Sequence, residues 1–306
     1  MLRINANALD YAIIAVYFVV VLGIGLAARR LIKSDEDFFL AGRSLPAWIT
    51  GLAFIAANLG ALEVLGMAAN GAQYGAATVH FYWIGAVPAM IFLGLVMMPF
   101  YYASKVRSVP EYLRRRFNSA THLFNAASFA VATVLIGGVN LFALGLVLSL
   151  MLGWSISVAI LVAAAIVLGY IVLGGLTSAI YNEVLQFFII VAALLPLTLV
   201  GLHDVGGFSG LADHVRQTQL GEAGLHAWKG LGPGGNNPLG ANWIQVVFGL
   251  GFVLSFGYWT TNFAEVQRAM SARNLGAARR TPLIGAYPKI FIPLTIVGLH
   301  NIGGVH

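Results

Sequence analysis

GRSLPAWITGLAFIAANLGALEVLGMAANGAQYG, residues 42–75, is the stretch on which the fold turns. The hydrocarbon core of a bilayer, roughly 30 Å thick, takes about 20 helical residues, and 46–69 is an apolar run of that size. Pro46 and Trp48 open it, where a helix enters the membrane interface. Asn58, Gly60 and Glu63 then fall in its middle. Glycine costs a helix about 1 kcal/mol relative to alanine. A charge at the bilayer centre costs at least about 2.5 kcal/mol, so such a group faces the bundle interior or a wet cavity. Two readings fit. In one, the helix is discontinuous near 56–61 and its freed carbonyls hold a cation. In the other, an unbroken helix packs closely through Gly60 and buries Glu63 against a partner.

Outward from this stretch the chain keeps the same character. Of its 306 residues, 59% are hydrophobic and 9% charged, against about 25% charged in a soluble domain. So few charges cannot clothe a water-facing surface, and the apolar face must meet lipid. Runs of spanning length occur at about 9–28, 46–69, 80–103, 121–150, 154–173, 179–202, 241–262 and 282–300. Backbone groups cannot go unpaired in lipid, so these are helices. The expectation is an all-α, polytopic membrane helix bundle of about eight transmembrane helices.

The basic residues orient it. Thirteen of the 17 lie in three loops, at 29–45 (Arg29, Arg30, Lys33, Arg43), 104–120 (Lys105, Arg107, Arg114, Arg115, Arg116) and 263–281 (Arg268, Arg273, Arg279, Arg280). With eight spans these loops share one side, which the excess of Lys and Arg marks as cytoplasmic. Arg3, Arg216 and Lys229 fall on the other, so the N-terminus is expected outside, and the protein in the cell membrane. The net charge of +6 is a topology signal rather than a nucleic-acid footprint, because the basic residues sit in short clusters between apolar runs. There is no cysteine, which excludes disulfides and thiolate metal sites. The seven histidines make no metal spacing, and no nucleophile elbow or phosphate-cradling motif follows a strand. Nothing favours an enzyme or a bound cofactor.

Other polar groups lie in apolar context. SFGYWTTNFAEVQRAMSARN (255–274) joins Ser255, Gly257, Thr260, Thr261 and Asn262 with Tyr258 and Trp259. These could line and gate a cavity, or form an aromatic belt with hydroxyls that pack helices. Arg268 to Arg280 read as a cytoplasmic anchor. Lys289, between Pro288 and Pro293, is a lysine inside a helix and functional by default, or snorkels to the near interface about seven residues away. Glu183 (TSAIYNEVLQFF, 177–188) reads as an acid complementing a helix start, or as part of a cation exit path. The Gly- and Asn-rich loop 203–240 is expected outside, with a short helix near 208–217.

In order and spacing, FFLAGRSLPAW (38–48), AAN (56–58), SVPEYLRRRF (108–117), YNEVLQFF (181–188) and Tyr258-Trp259 with Gln267-Arg268 resemble the sodium/solute symporter family, which includes the sodium/glucose cotransporters. The resemblance covers almost the whole chain. It implies a LeuT-like core of two inverted five-helix repeats: one single transmembrane module, 1–306, with 9–28 an extra N-terminal helix, 46–202 the first repeat, 203–240 the extracellular loop and 241–306 the start of the second, incomplete. The chain is accordingly expected to be a truncated product or fragment. The resemblance also implies sodium as coupling ion, held by the carbonyls of Ala56 and Leu59. It implies a pocket for a small organic solute around Asn58, Tyr258, Trp259 and Lys289, with Glu183 near the cation exit. Leu62-Glu63, Tyr82 and Ser255 depart from the sugar transporters' Glu-Gln, Glu and Asn, so the solute class stays open, and Glu63 and Ser255 join the candidate solute contacts. Sodium-coupled symport is the function implied. The alternative is a symporter-like membrane module of a sensor.

Overall fold

A computed structural model describes residues 7–303, with side chains described at 7–60 and 63–295. Arg3, counted above, lies outside them. The fold is all helix: among the described residues the one piece of β-pairing is an isolated parallel bridge between Leu45 and Ala272. Ala8–Arg29, Glu63–Ala103, Ser119–Leu152 and Ile156–Asp204 are long and apolar enough to cross a membrane. Gln245–Thr261 with Phe263–Met270 makes a fifth span, bent by 52°. The 49-residue helix Ile156–Asp204 is roughly 70 Å long at 1.5 Å per residue, more than twice the hydrocarbon thickness. It leaves helical geometry at Gly175 (φ 52°, ψ −150°), between the two runs expected at 154–173 and 179–202. A Cβ there would lie 2.6 Å from the Phe38 carbonyl oxygen, so only glycine fits. Divided at Gly75 and Gly175, and counted with Leu275–Gly303, the helices fall on the eight expected runs.

The outer helices turn bare apolar surface outward. Leu9, Ile13, Val16 and Val19 on Ala8–Arg29, and Leu123, Phe124, Val131 and Val134 on Ser119–Leu152, are all exposed. In water such faces would be untenable; in lipid they are the solvent contact. The buried core lies instead where the first broken helix, the 80–103 region, the bent span and Leu275–Gly303 meet, around Phe54, Met90, Leu93, Tyr101, Trp259 and Met270.

The first spanning run is broken, not continuous. Ala47–Ala56 ends, a non-helical link follows, and Ala61–Tyr74 resumes, with Gly60 extended at φ −91°, ψ −178°. Leu275–Gly303 crosses the first half closely, because glycines let the backbones approach. A Cβ on Gly51 would stand 2.6 Å from Ile284 side-chain atoms, and one on Gly285 2.9 Å from Phe54. The Thr50 and Thr281 hydroxyls meet at 2.6 Å in the same crossing.

Two boundaries differ from the expected ones. The last helix starts at Leu275, not near 282: Asn274 caps it by accepting from the Ala277 N–H at 2.8 Å, and Pro282 lies inside. The 80–103 run is interrupted at 84–86, just before Pro88, and carries a wide π turn at Leu93–Met97. Proline has no N–H to continue the ladder. Within 203–240, Gly207–Gln217 is helical. The rest of the loop packs on the His80 end of the 80–103 run, where His80 Nε2 meets the Ala227 carbonyl at 2.7 Å and its ring stacks edge-on with Trp228. At the other end, Arg273 N–H donates to Leu45 O at 2.8 Å and Leu45 N–H to Ser271 O at 3.3 Å. These bonds tie the entrance of the first broken helix to the exit of the bent span.

Candidate functional site

The break supplies the site's centre. A regular ladder runs from each N–H to the carbonyl four residues back. Here the Asn58 N–H donates to Ile55 O at 3.1 Å and the Leu59 N–H to Ala56 O at 3.0 Å, three residues back, before Val64 N–H to Gly60 O at 3.2 Å restores the ladder. The carbonyls from Ala56 to Leu59 therefore lie at or in the interruption. The Ala56 oxygen keeps one lone pair beside its turn bond. The Ala56 side chain is buried, and that of Leu59 lines an apolar hollow with Phe187, Leu194 and Phe291.

The chain turn at 57–60 aims Asn58 at two distant elements. Its Oδ1 accepts from Lys289 Nζ at 2.6 Å and its Nδ2 donates to the Tyr258 hydroxyl at 3.2 Å. Lys289 also pairs with Glu63 at 3.1 Å. The lysine does not snorkel. It lies fourteen residues inside a helix that begins earlier than expected, and it is 2% exposed. Its Nζ sits 4.8 Å from the Tyr82 ring centroid and 5.4 Å from that of Trp259, so its charge is stabilised by π faces as well as by Glu63.

Ser255, Tyr258 and Trp259 are not an interfacial belt. Trp259 is buried beside Phe54, at 5.7 Å between ring centroids. The interruption before Pro88 leaves the Gly85 carbonyl to take Ser255 Oγ at 2.6 Å and Trp259 Nε1 at 3.2 Å. Both polar groups thus brace the bent span against 84–86, and the Trp259 ring serves Lys289. Two cavities flank the Asn58–Tyr258 contact. One, of about 310 Å³, is walled by Met67, Tyr82, Leu254, Trp259 and Lys289. The other, of about 330 Å³, is walled by Gly60, Asn140, Asn262, Glu265 and Arg268. Asn58, Glu63 and Tyr258 line both.

Glu183 stands apart from the Lys289 cluster and is not a helix-start acid. It lies two turns past the Gly175 kink, buried, and holds Arg268 through two hydrogen bonds, one of them Nε to Oε2 at 2.8 Å. Arg268 is therefore an internal ion-pair member rather than a cytoplasmic anchor. Sequence reasoning also passed over Glu265, which is 4% exposed. Its signal was present: in FAEVQRAM, Glu265 precedes Arg268 by three residues, so a buried Arg268 brings Glu265 inward on the same face. Tyr82, noted only as a departure, supplies a π face to Lys289.

The family model of the sodium:solute symporter family matches residues 38–302. The chain belongs to that family. Among its curated relatives, a sodium/glucose cotransporter of Vibrio parahaemolyticus is 28% identical over 94% of this chain and 54% of that protein. Sodium/glucose cotransporter 1 of Ovis aries is 31% identical over 93% of this chain and 45% of that protein. The chain thus spans about half the length of the curated relatives it matches. The fold is also that of a sodium-coupled sialic acid symporter solved in a substrate-bound, outward-open state, with a TM-score of 0.83 at 20% identity over 97% of this chain and 61% of that one. All three are symporters or cotransporters by description, and the sensor alternative finds no support among them. As a family member with several apolar spans, this is a multi-pass membrane protein.

Proposed function

We propose that the chain serves sodium-coupled symport of a small organic solute by alternating access, in the cell membrane with its N-terminus outside. The observation that carries this reading is the break at 57–60, which frees peptide oxygens at mid-span beside a cluster of solute-sized cavities. In this reading sodium binds the carbonyls of Ala56 and Leu59, with further oxygens from outside this chain's described residues. The solute binds at Asn58, Glu63, Tyr258 and Lys289, against the Trp259 ring and the Ser255 brace, and sodium leaves past Glu183.

The chemistry is binding rather than catalysis. Lys289 and Glu63 are paired, so a polar solute that inserts between them replaces one partner of each and finds a desolvated, charged clamp. Tyr258 lines both cavities and is bonded to Asn58, so this contact separates them. A state in which it opens joins them. Sodium drives transport if it binds one state better than the other, and only by that difference. In proteoliposomes, an inward sodium gradient is expected to accelerate solute uptake, and potassium in its place is not. Uptake of equal rate in both salts, with the protein inserted, refutes sodium coupling.

A further inference from the structure

The buried charges around the two broken helices do not balance. Arg268 is taken by Glu183 and Lys289 by Glu63. Glu265 is left over. It is 4% exposed, and its Oε2 is buried with no hydrogen-bond partner among the described residues. Three carboxylates face two cations. A buried carboxylate without a partner is costly, and such groups are normally paired or neutralised. Glu265 is not walled off in the core: it lines the cavity of about 330 Å³ shared with Asn58, Tyr258 and Asn262.

Resting on the symport reading, we propose that Glu265 is the counter-charge for an ammonium group of the transported solute. The cavity suits that occupant better than the other cations. A metal ion needs a shell of several oxygens, and here Asn262 Oδ1 already accepts from the Ala264 N–H at 3.0 Å. Among the described residues no three His, Cys, Asp or Glu side chains gather to hold a metal. A proton needs no cavity. An ammonium needs one carboxylate and gains from aromatic faces, and Tyr258 and Phe129 line the same wall. The charged groups nearby are Arg268, Glu183, Glu63 and Lys289. The first two neutralise each other, as do the last two, so a monovalent cation at Glu265 brings the cluster to neutrality.

The test is equilibrium binding to the protein in lipid nanodiscs, with solutes that differ by one ammonium: D-glucosamine against D-glucose, and γ-aminobutyrate against butyrate. At least one amine is expected to bind about tenfold or more tighter than its neutral or anionic counterpart, the factor a charged hydrogen bond supplies. In Glu265→Gln that ratio falls to about one. If this variant does not fold, Glu265→Asp keeps the charge but withdraws it, and the ratio falls partway. No preference for the amine in either pair overturns the proposal, as does a preference that persists unchanged in the variants. So does a variant whose sole effect is a shifted pH dependence, which makes Glu265 a proton holder. Sodium dependence is read separately, from uptake, so a sodium-driven protein without amine preference loses this inference alone.

Discussion

At the scale of single residues, Asn58 and Lys289 carry more than their own size. Lys289 is buried, and its ammonium is satisfied by Asn58, Glu63 and two rings. Removing one partner of a buried pair costs about 3–5 kcal/mol because the other charge is stranded, while replacing both is far milder. Glu63 keeps 24% of its side-chain surface, so the lower end applies. Glu63→Leu, which strands the buried ammonium, is expected to lower the melting temperature of the purified protein sharply, and Lys289→Met, which strands the partly exposed carboxylate, less so. The double variant should recover part of the loss, with a coupling of about 1–3 kcal/mol in the cycle. Strictly additive effects would mean that the two charges do not interact in the membrane.

At the scale of elements, the crossing of the first broken helix with the last helix is set by glycines. Gly51 lets the first broken helix touch Leu275–Gly303 at Ile284. Gly51→Leu forces the two apart and is expected to destabilise by about 1–3 kcal/mol or more, read as a lower melting temperature. The same substitution at Gly137, where a Cβ meets nothing within 4 Å, should be nearly silent. The element outside the membrane behaves differently. The Arg216 guanidinium, bonded to Glu222 at 2.8 Å, holds that carboxyl below its ordinary range. A depressed carboxylate contributes order that is present above its unfolded pKa and is lost as pH falls through the folded one. Protection against hydrogen exchange at 213–226, corrected for the intrinsic exchange rate, is therefore expected to fall as pH drops below the ordinary glutamate range, and Arg216→Ala should remove that dependence.

How much of this was legible depends on the signal each element leaves in sequence. The eight runs could be read because apolar length is a local feature, and the mid-run Asn58, Gly60 and Glu63 raised a break near 56–61 as one of two readings. The start of the last helix could not, because Pro282 reads as a boundary while the Asn274 cap is a single polar residue. The pairing of Asn58 with Lys289 was suggested only by family resemblance. No periodicity relates residues 231 positions apart. Glu265 was missed because a charged residue near a basic cluster reads as solvated until the partner of Arg268 is known.

At the scale of the whole molecule, the proposed sidedness rests on the charge distribution. Taking Arg268 out of the loops proposed to be cytoplasmic, as its pairing with Glu183 demands, still leaves twelve basic residues on that side. The chain has no cysteine, so single cysteines report cleanly. Cysteine in place of exposed Phe208 is expected to react with an impermeant maleimide added to whole cells, and cysteine in place of exposed Arg114 only after permeabilisation. The reverse pattern would turn the protein over in the membrane and place the proposed sodium exit on the wrong face.

The short backbone stitch of Leu45 to Ser271 and Arg273 has a mechanical meaning for any such cycle. It ties the two discontinuous helices together at one rim. A tilt of either must drag the other along, like two oars lashed at the handles. In the proposed alternating-access cycle the pair is therefore expected to move jointly rather than as two independent helices.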